Sequence, residues 1–423
     1  MTQVTLQQIL QAREDRVLLQ RKLLQEYGCP LICFTMNIAG PVKTSPLIQW
    51  GFQAGLESLM ASLSVPAQYK LVRHLPTGSE AYLSVQIPAP ALKEICADIE
   101  EATPLGRLFD MDVIDTDSKK LQRATERGCL ICGKPGRACA ARRLHSVEAL
   151  QSATEQILVG ELAVQSLLNE ANTTPKPGLV DRRNNGSHKD MNLQTFVSSA
   201  NALRPYFTEC AKIGQQTSHL SPQETFRLLR QAGIRAEKTM LEATGGVNTH
   251  KGAIFALGIL CGSIGRLSSY EIKDILCQVA LMGKEAEQDF AHAGGDTAGQ
   301  QLYLQKNLRG IRGEVADGLP SAANIGLKAY KDGLSKGLSP NDAGAIALLH
   351  LIANVKDTNL YHRGGCEGAV WAAEVAQNLL RAPSSPVMAL IEQLDDAFIA
   401  RNLSPGGCAD LLAVTYFLHS LNP

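Results

Sequence analysis

Residues 103–115 read TPLGRLFDMDVID, and the alternation inside this stretch decides how the first third of the chain is read. Over residues 107–115 the pattern is that of a strand. Side chains on a strand alternate with period two, so Phe109, Met111 and Val113 face a core while Leu108, Asp110 and Asp112 share the opposite face. Towards the N-terminus, Thr5 and Gln8 form a T-x-x-Q capping box that opens a helical run, closed near Gly28. Residues 31–38 (LICFTMNI) read as a buried strand, and residues 69–75 and 81–87 as two more around a turn at Thr77-Gly78-Ser79. Residues 90–102 read as a helix. After about residue 145 the character changes. Helical patterns cover residues 147–171, 193–216, 222–243, 252–267, 270–287, 340–355, 367–380, 386–401 and 409–421, with no alternating strand among them, and residues 328–336 read as a surface stretch. The expectation is a multi-domain chain: an α+β domain over residues 1–148 followed by an all-α domain over residues 149–423.

The bulk numbers agree with two globular domains. The chain has 423 residues, 45% of them hydrophobic, and a formal net charge of zero. Residues 1–145 carry a net of +3 and the remainder −3, too mild an asymmetry for a general nucleic-acid binder. The eleven cysteines are odd in number and scattered, which argues against a disulfide framework. The opening MTQVTLQQILQAREDR lacks the basic and apolar regions of a secretory signal. The uncharged residues 252–265 are too few for a membrane span, which needs about 20 apolar residues. A cytoplasmic protein with no membrane and no nucleic-acid partner is expected.

Two carboxylates on one strand face, Asp110 and Asp112, can hold Mg²⁺, a hard cation that often bridges to substrate phosphates. A solvated strand face is the plainer reading. Residues 119–143 then hold Lys119, Lys120, Arg123, Arg127, Lys134, Arg137, Arg142 and Arg143 against one acid, Glu126. Such a segment suits a polyphosphate, an acidic protein partner, or simply a solvated basic face. Within it, Cys129, Cys132, Cys139 and His145 follow the spacing C-x2-C-x6-C-x5-H. Three thiolates and an imidazole make a structural zinc site; buried packing cysteines are the alternative.

The helical part carries its polar residues in loops. Four Gly-Gly doublets occur, at 245–246, 294–295, 364–365 and 406–407, and at least three lead directly into helical patterns. Helix N-termini offer free N–H groups and a positive dipole end, so several together point to a multiply charged anion. Residues 174–191 (TPKPGLVDRRNNGSHKDM) hold Lys176, Asp181, His188 and Asp190. Residues 244–255 (TGGVNTHKGAIF) hold Asn248, His250 and Lys251. Residues 356–365 (KDTNLYHRGG) hold Asp357, Asn359, His362, Arg363, Gly364 and Gly365.

FTMNIAGPVKTSP (34–46), GRLFDMDVID (106–115) and CLICGKPGRACAARR (129–143) together resemble the apo-citrate lyase phosphoribosyl-dephospho-CoA transferases, over nearly all of residues 1–145. The D-x-D strand also resembles that of the nucleotidyltransferase superfamily. The resemblance implies transfer of a phosphoribosyl-dephospho-CoA unit to a serine of the citrate lyase acyl carrier protein, the gamma subunit, with release of pyrophosphate. Asp110 and Asp112 match the family's acidic pair, and Arg107, Arg142 and Arg143 are expected to bind substrate. From about residue 150 onward, TPKPGLVDRRNNGSHKDM, GGVNTHKGAIFALG, RGEVADGLPSAANIGL, DTNLYHRGG and LSPGGCADLLA resemble the triphosphoribosyl-dephospho-CoA synthases. That resemblance implies that ATP and 3′-dephospho-CoA are joined and adenine expelled. It makes His188, His250 or His362 the general base, and Asp181, Asp190 or Asp357 the Mg²⁺ ligand. Lys176, Asn248, Lys251, Arg312, Asn359, Arg363, Gly364 and Gly365 are then the ATP-binding set, with His292 and Asp296 as weaker matches. The rival readings are the equivalent enzyme pair for malonate decarboxylase, and a nucleotide or ADP-ribose hydrolase fused to a carrier-binding adaptor.

Overall fold

In a computed structural model that describes residues 3–422 apart from 124, 268, 292–301, 305 and 382–386, the chain divides by its internal contacts into two units, Met1–Leu158 and Val159–Pro423. The first unit opens as its caps dictate. The Gln8 N–H donates to the Thr5 hydroxyl and the Thr5 N–H to the Gln8 side chain, which starts helix α1 (Leu6–Tyr27). Gly28 ends it at φ 61°, donating its N–H to the Leu24 carbonyl. Strands β1 (Leu31–Met36), β2 (Tyr69–Leu75), β3 (Gly78–Ser84) and β4 (Phe109–Ile114) form one antiparallel sheet in the order β2-β3-β1-β4.

The pleat sorts the side chains. Leu31 and Cys33 of β1 pack with Tyr82, Ile114 and the α1 residues Leu23 and Leu24. On the other face Phe34 stacks on Phe52 at 4.8 Å and meets Phe109 edge-on at 5.3 Å. Phe52 belongs to α2 (Pro46–Ser62), which the sequence pattern did not announce. Its signal is local: the Ser45 hydroxyl caps the Ile48 N–H and Pro46 occupies the first helical turn. Gly55 lets α2 lie flat on the sheet, since a Cβ there would meet Phe34 at 2.6 Å. Each fully buried Phe or Leu contributes roughly 1.5–3 kcal/mol. Helix α3 (Ala89–Ala102) also packs on β4.

Several local expectations need correction. Residues 105–108 form a 3-10 turn rather than the start of the strand, and Leu108 is buried. Leu75 pairs directly with Gly78, so the hairpin turns at Pro76-Thr77, and β3 starts three residues earlier than expected. After β4 come a short α4 (Gly136–Ala141) and α5 (Val147–Asn172), within which the division between the units falls.

Among its described residues the second unit contains helices and no strand. They are α6 (Leu193–Ala202), α7 (Arg204–Gln216), α8 (Pro222–Thr244), α9 (Lys251–Arg266), α10 (Ile272–Ala291), α11 (Gly310–Ala316), α12 (Leu327–Ser335), α13 (Pro340–Asn354), α14 (Thr358–Arg381), α15 (Val387–Ala400) and α16 (Gly406–Leu421). The run 193–216 breaks at Leu203 because Pro205 cannot donate to a continuing helix. Residues 327–335 are helical, with Leu327, Ala329 and Tyr330 buried, so this stretch is not merely surface. Helix α9 forms the centre: almost every side chain from Ala253 to Gly265 is buried. Among the described residues no helix is long and apolar enough to cross a membrane.

Candidate functional site

The acidic pair lies on the edge strand of the sheet. Asp110 is opposite Thr35 and Asp112 opposite Cys33, so both share one face, while Phe109, Met111 and Val113 are buried on the other. Their surroundings differ. Asp112 is held by Lys120 at 2.5 Å. Asp110 lines a cavity of about 1210 Å³ together with Arg107, Arg127, Cys139, Arg143 and His145. It also lines a smaller cavity on the α1 side with Arg13, Arg16 and Lys43. Desolvation by these walls, then the Asp112 carboxylate, raises the Asp110 carboxyl above its ordinary value. A proton or a divalent cation relieves that strain.

Much of the basic segment is already paired. Lys119 meets Asp117 at 2.6 Å, and Arg123 and Arg127 converge on buried Glu100 at 3.2 and 2.7 Å. Arg127 also donates to the Phe109 carbonyl. These arginines fasten β4 to α3 and are not a free polyphosphate cradle. Arg107 donates to the Gly128 carbonyl at 2.5 Å but keeps a place in the cavity wall. Arg142 is exposed and outside that wall, whereas Arg143, exposed and left-handed at φ 47°, belongs to it. The ligand atoms of Cys129, Cys132, Cys139 and His145 lie within 4.8 Å of one another.

In the second unit the loop 174–191 is organised by its own acids. Asp181 accepts the N–H groups of Lys176, Arg183 and Asn184, at 3.0, 2.7 and 3.1 Å. Lys176 is buried and bound to Glu170 at 2.5 Å, so it is a core ion pair and not an open anion contact. Asp357 accepts the N–H groups of Asn359, Leu360 and Cys408, at 2.7, 3.2 and 2.7 Å, capping α14 and α16 together. Asp410 accepts the Ala253 N–H at the start of α9, where a Cβ on Gly252 would lie 2.0 Å from its Oδ2. The N-termini of α9, α14 and α16 therefore already hold protein carboxylates. Burial, then Glu170 and Asp357, raises Asp410 well above the ordinary carboxylate range. Asp181, Asp190 and Asp357 do not form a common ligand group: among the described residues the Cys/His cluster is the one set of three or more within reach of one metal.

Other candidates separate as well. Gly245 and Gly246 end α8 at positive φ instead of opening a helix, and the Asn248 side chain accepts the Lys251 N–H at 3.2 Å. Lys251 is exposed and paired with Glu237 at 2.9 Å. Asn359 is exposed beside Gly406, where a Cβ would meet its amide at 2.3 Å. Arg312 is half-buried on α11. His362 is exposed on α14. Gly364 packs under Leu403, and Gly365 breaks α14 at φ 64°, ψ −160°. His292, Asp296 and the doublet 294–295 lie outside the described residues.

What the fold does bring together is His188 and Arg363. They line an open groove with Ser187, Lys189, Asp190 and Asn402. Arg363 Nη2 donates to His188 Nδ1 at 3.2 Å, and Nη1 to the Ser187 carbonyl at 3.0 Å and Asn402 Oδ1 at 3.1 Å. With Nδ1 accepting, Nε2 carries the proton and donates to the Ser404 hydroxyl at 2.9 Å. Burial, then the Arg363 charge, lowers the His188 pKa and keeps the ring neutral. Asp190 stands 4.0 Å from Nδ1. The loop is anchored by Asp395, fully buried, which accepts Gly178 N–H at 2.9 Å and Asn184 Nδ2 at 2.7 Å and pairs with Arg183 at 3.1 Å. Glu170, Asp395 and Asp410 are acids that sequence reasoning missed. Each sits within a helix, where nothing local marks it.

His250 is the most buried of the three histidines. Its Nδ1 meets the Ser199 hydroxyl at 2.8 Å, its Nε2 has no hydrogen-bond partner, and burial lowers its pKa to about 3. The unfolded chain takes up a proton near the ordinary 6.5 that the folded chain refuses until about 3. Stability is therefore full above about 6.5 and falls as pH drops through this window, by up to about 1.4 kcal/mol per pH unit. Denaturation at pH 7 and pH 5 is expected to show a steeper acid loss for the native chain than for His250→Gln. Equal slopes would remove His250 as the cause.

A family model described as apo-citrate lyase phosphoribosyl-dephospho-CoA transferase matches residues 4–160, and one described as ATP:dephospho-CoA triphosphoribosyl transferase matches residues 156–423. Protein CitXG of Haemophilus influenzae is 36% identical over 452 residues, covering 99% of this chain and 97% of that protein. Protein CitXG of Leuconostoc mesenteroides subsp. cremoris is 32% identical over 460 residues, with the same coverage of 99% and 97%. The 2-(5''-triphosphoribosyl)-3'-dephosphocoenzyme-A synthase of Haemophilus ducreyi is 39% identical over 329 residues, covering 69% of this chain and 99% of that protein.

Proposed function

Because the chain belongs to the apo-citrate lyase phosphoribosyl-dephospho-CoA transferase family through its first part and to the ATP:dephospho-CoA triphosphoribosyl transferase family through the rest, and is thus a bifunctional transferase, we propose that it makes and attaches the prosthetic group of citrate lyase. The part over residues 149–423 joins ATP to 3′-dephospho-CoA, giving 2′-(5″-triphosphoribosyl)-3′-dephospho-CoA and adenine. The part over residues 1–148 transfers the phosphoribosyl-dephospho-CoA unit to a serine of the citrate lyase acyl carrier protein, the gamma subunit, and releases pyrophosphate. The observation that carries this reading is the presence of both family matches in one chain, since the product of one reaction is the substrate of the other.

In the synthase reaction the 2′-hydroxyl of dephospho-CoA attacks C1′ of the ATP ribose. The C1′–N bond breaks and its electron pair leaves with adenine, through a transition state with oxocarbenium character. His188 is the preferred base. It is neutral, lines the open groove, and turns its acceptor nitrogen towards Arg363. Arg363 would move from that nitrogen to a phosphate as the hydroxyl takes its place. His250 is buried against Ser199 and His362 lies outside the groove lining, which favours His188 over both. In the transfer reaction Asp110 accepts the serine proton or faces a cation, and Arg107 and Arg143 line the same cavity. Two acids on one face fit a divalent ion, held by Asp110 and, once Lys120 yields, by Asp112. Mg²⁺ bound there would neutralise the departing pyrophosphate.

Mass spectrometry of the apo-carrier protein after incubation with the full chain, ATP, Mg²⁺ and dephospho-CoA tests the whole scheme. The expected result is a single mass increase equal to the phosphoribosyl-dephospho-CoA group, dependent on every component. Adenine released from ATP without dephospho-CoA would instead indicate a hydrolase. Within the synthase reaction, Arg363→Met is expected to lower turnover ten- to a hundredfold, the loss of one charge-assisted contact. Lys251→Met, which removes an exposed pair with Glu237, should change it little. Initial rates of adenine release against ATP concentration distinguish the two.

A further inference from the structure

The transfer chemistry leaves one cluster of the first unit unused. The chain folds back on itself twice between residues 127 and 145. Gly128 bridges Pro135, the Cys129 N–H donates to the Lys134 carbonyl at 2.5 Å, and the Gly133 N–H returns to the Cys129 carbonyl at 3.0 Å, with Gly133 at φ 70°. This tight turn brings Cys129 and Cys132 side by side. The second fold is α4, which carries Cys139. Its end turns at left-handed Arg143, where the Leu144 N–H donates to the Cys139 carbonyl at 3.1 Å. That reversal delivers His145 back to the turn. The result is Cys132 Sγ at 3.5 Å from Cys139 Sγ and at 3.3 Å from His145 Nε2, with all four ligand atoms within 4.8 Å of one another.

We propose that Cys129, Cys132, Cys139 and His145 bind one structural zinc ion. Tetrahedral zinc with Zn–S bonds of about 2.3 Å separates neighbouring sulfurs by roughly 3.8 Å, close to the spacing found. Three thiolates and an imidazole favour zinc over magnesium or calcium, which take oxygen ligands. Four protein ligands close the shell and leave no position for substrate, so the ion is structural. Ile131 and Cys132 also turn backbone N–H groups towards the Cys129 sulfur, as a thiolate requires. The segment has little else to hold it: Lys134, Arg137, Arg142 and Leu144 are exposed, and α4 buries only Cys139. Because Cys139, Arg143 and His145 line the cavity that contains Asp110, the ion fixes one wall of that cavity.

The test is metal content of the full chain, purified without chelator from zinc-supplemented cells. About one zinc per chain is expected, and Co²⁺ exchanged into the protein should give the visible bands of a tetrahedral thiolate site. Cys132→Ser and His145→Ala should each lose most of the zinc under mild chelation, while Cys277→Ser and Cys366→Ser, exposed cysteines elsewhere, should retain it. Should the first two variants fail to fold, limited proteolysis of the native chain answers the same question. Chelation should expose cleavage between residues 128 and 145. Folded protein without zinc, or with a Cys132–Cys139 disulfide in peptide mapping, would overturn the proposal. Neither readout uses activity, so the zinc site and the transfer reaction stand or fall separately.

Discussion

Asp110→Asn is expected to lower transfer to the carrier protein by a factor of 10² or more while adenine release continues at the native rate. The substitution keeps the shape of the side chain and removes its charge, as in the loss of one strong electrostatic stabiliser. Asp112→Asn should have a smaller effect, because Asp112 is already neutralised by Lys120 at 2.5 Å and stands back from the cavity that Asp110 lines. The two losses therefore rank the acids, which a symmetric metal pair would not. Quantifying modified carrier protein and free adenine in one reaction gives both rates. Undiminished transfer by Asp110→Asn would remove the acid from the reaction and leave the strand a solvated edge.

Asp395→Ala is expected to destabilise the second unit by about 3–5 kcal/mol, the usual result of breaking a buried ion pair and leaving its partners unsatisfied. The Gly178 N–H and the Asn184 amide lose their acceptor, and the Arg183 guanidinium loses its buried partner. All three belong to the loop that carries His188, so adenine release should fall even at temperatures where the variant stays folded. The melting transition of the second unit should drop by on the order of 10 °C. Asp396→Ala, next along α15 and exposed, is the control: it also meets Arg183, at 3.2 Å, but in water, and its loss should cost under about 1 kcal/mol. Equal stability of the two variants would mean that the buried carboxylate does not anchor the loop.

Much of the first unit was legible because its signals are local. The Thr5–Gln8 box, Gly28 and the alternation of Phe109, Met111 and Val113 each depend on residues within one turn or one strand, and the structure follows them. Helix α2 was missed although Ser45-Pro46 is a start signal, because its sheet-facing glycines, Gly51 and Gly55, weaken the apolar periodicity on which the reading relied. The CLICGKPGRACAARRLH spacing was enough to nominate four ligands, since the turn and short helix that gather them lie within 17 residues.

By itself, then, the sequence determined the two-part character of the chain, the acidic strand and the families it belongs to, all of which rest on short-range order or on matched strings. Only the tertiary structure decided which polar residues remain open to a ligand. Lys176, Asp181 and Asp357 look alike in sequence to His188 and Arg363, yet the first three are occupied by Glu170 or by backbone N–H groups. Asp181 is held within its own loop, but Glu170 of α5, the Cys408 N–H of α16, the α16 carboxylate of Asp410 that caps α9, and Asp395, which reaches Gly178 from 217 residues away, belong to separate elements. A helix N-terminus attracts a carboxylate of the protein as readily as a phosphate. Which of the two it receives depends on what the fold packs against it, and no local pattern records that choice.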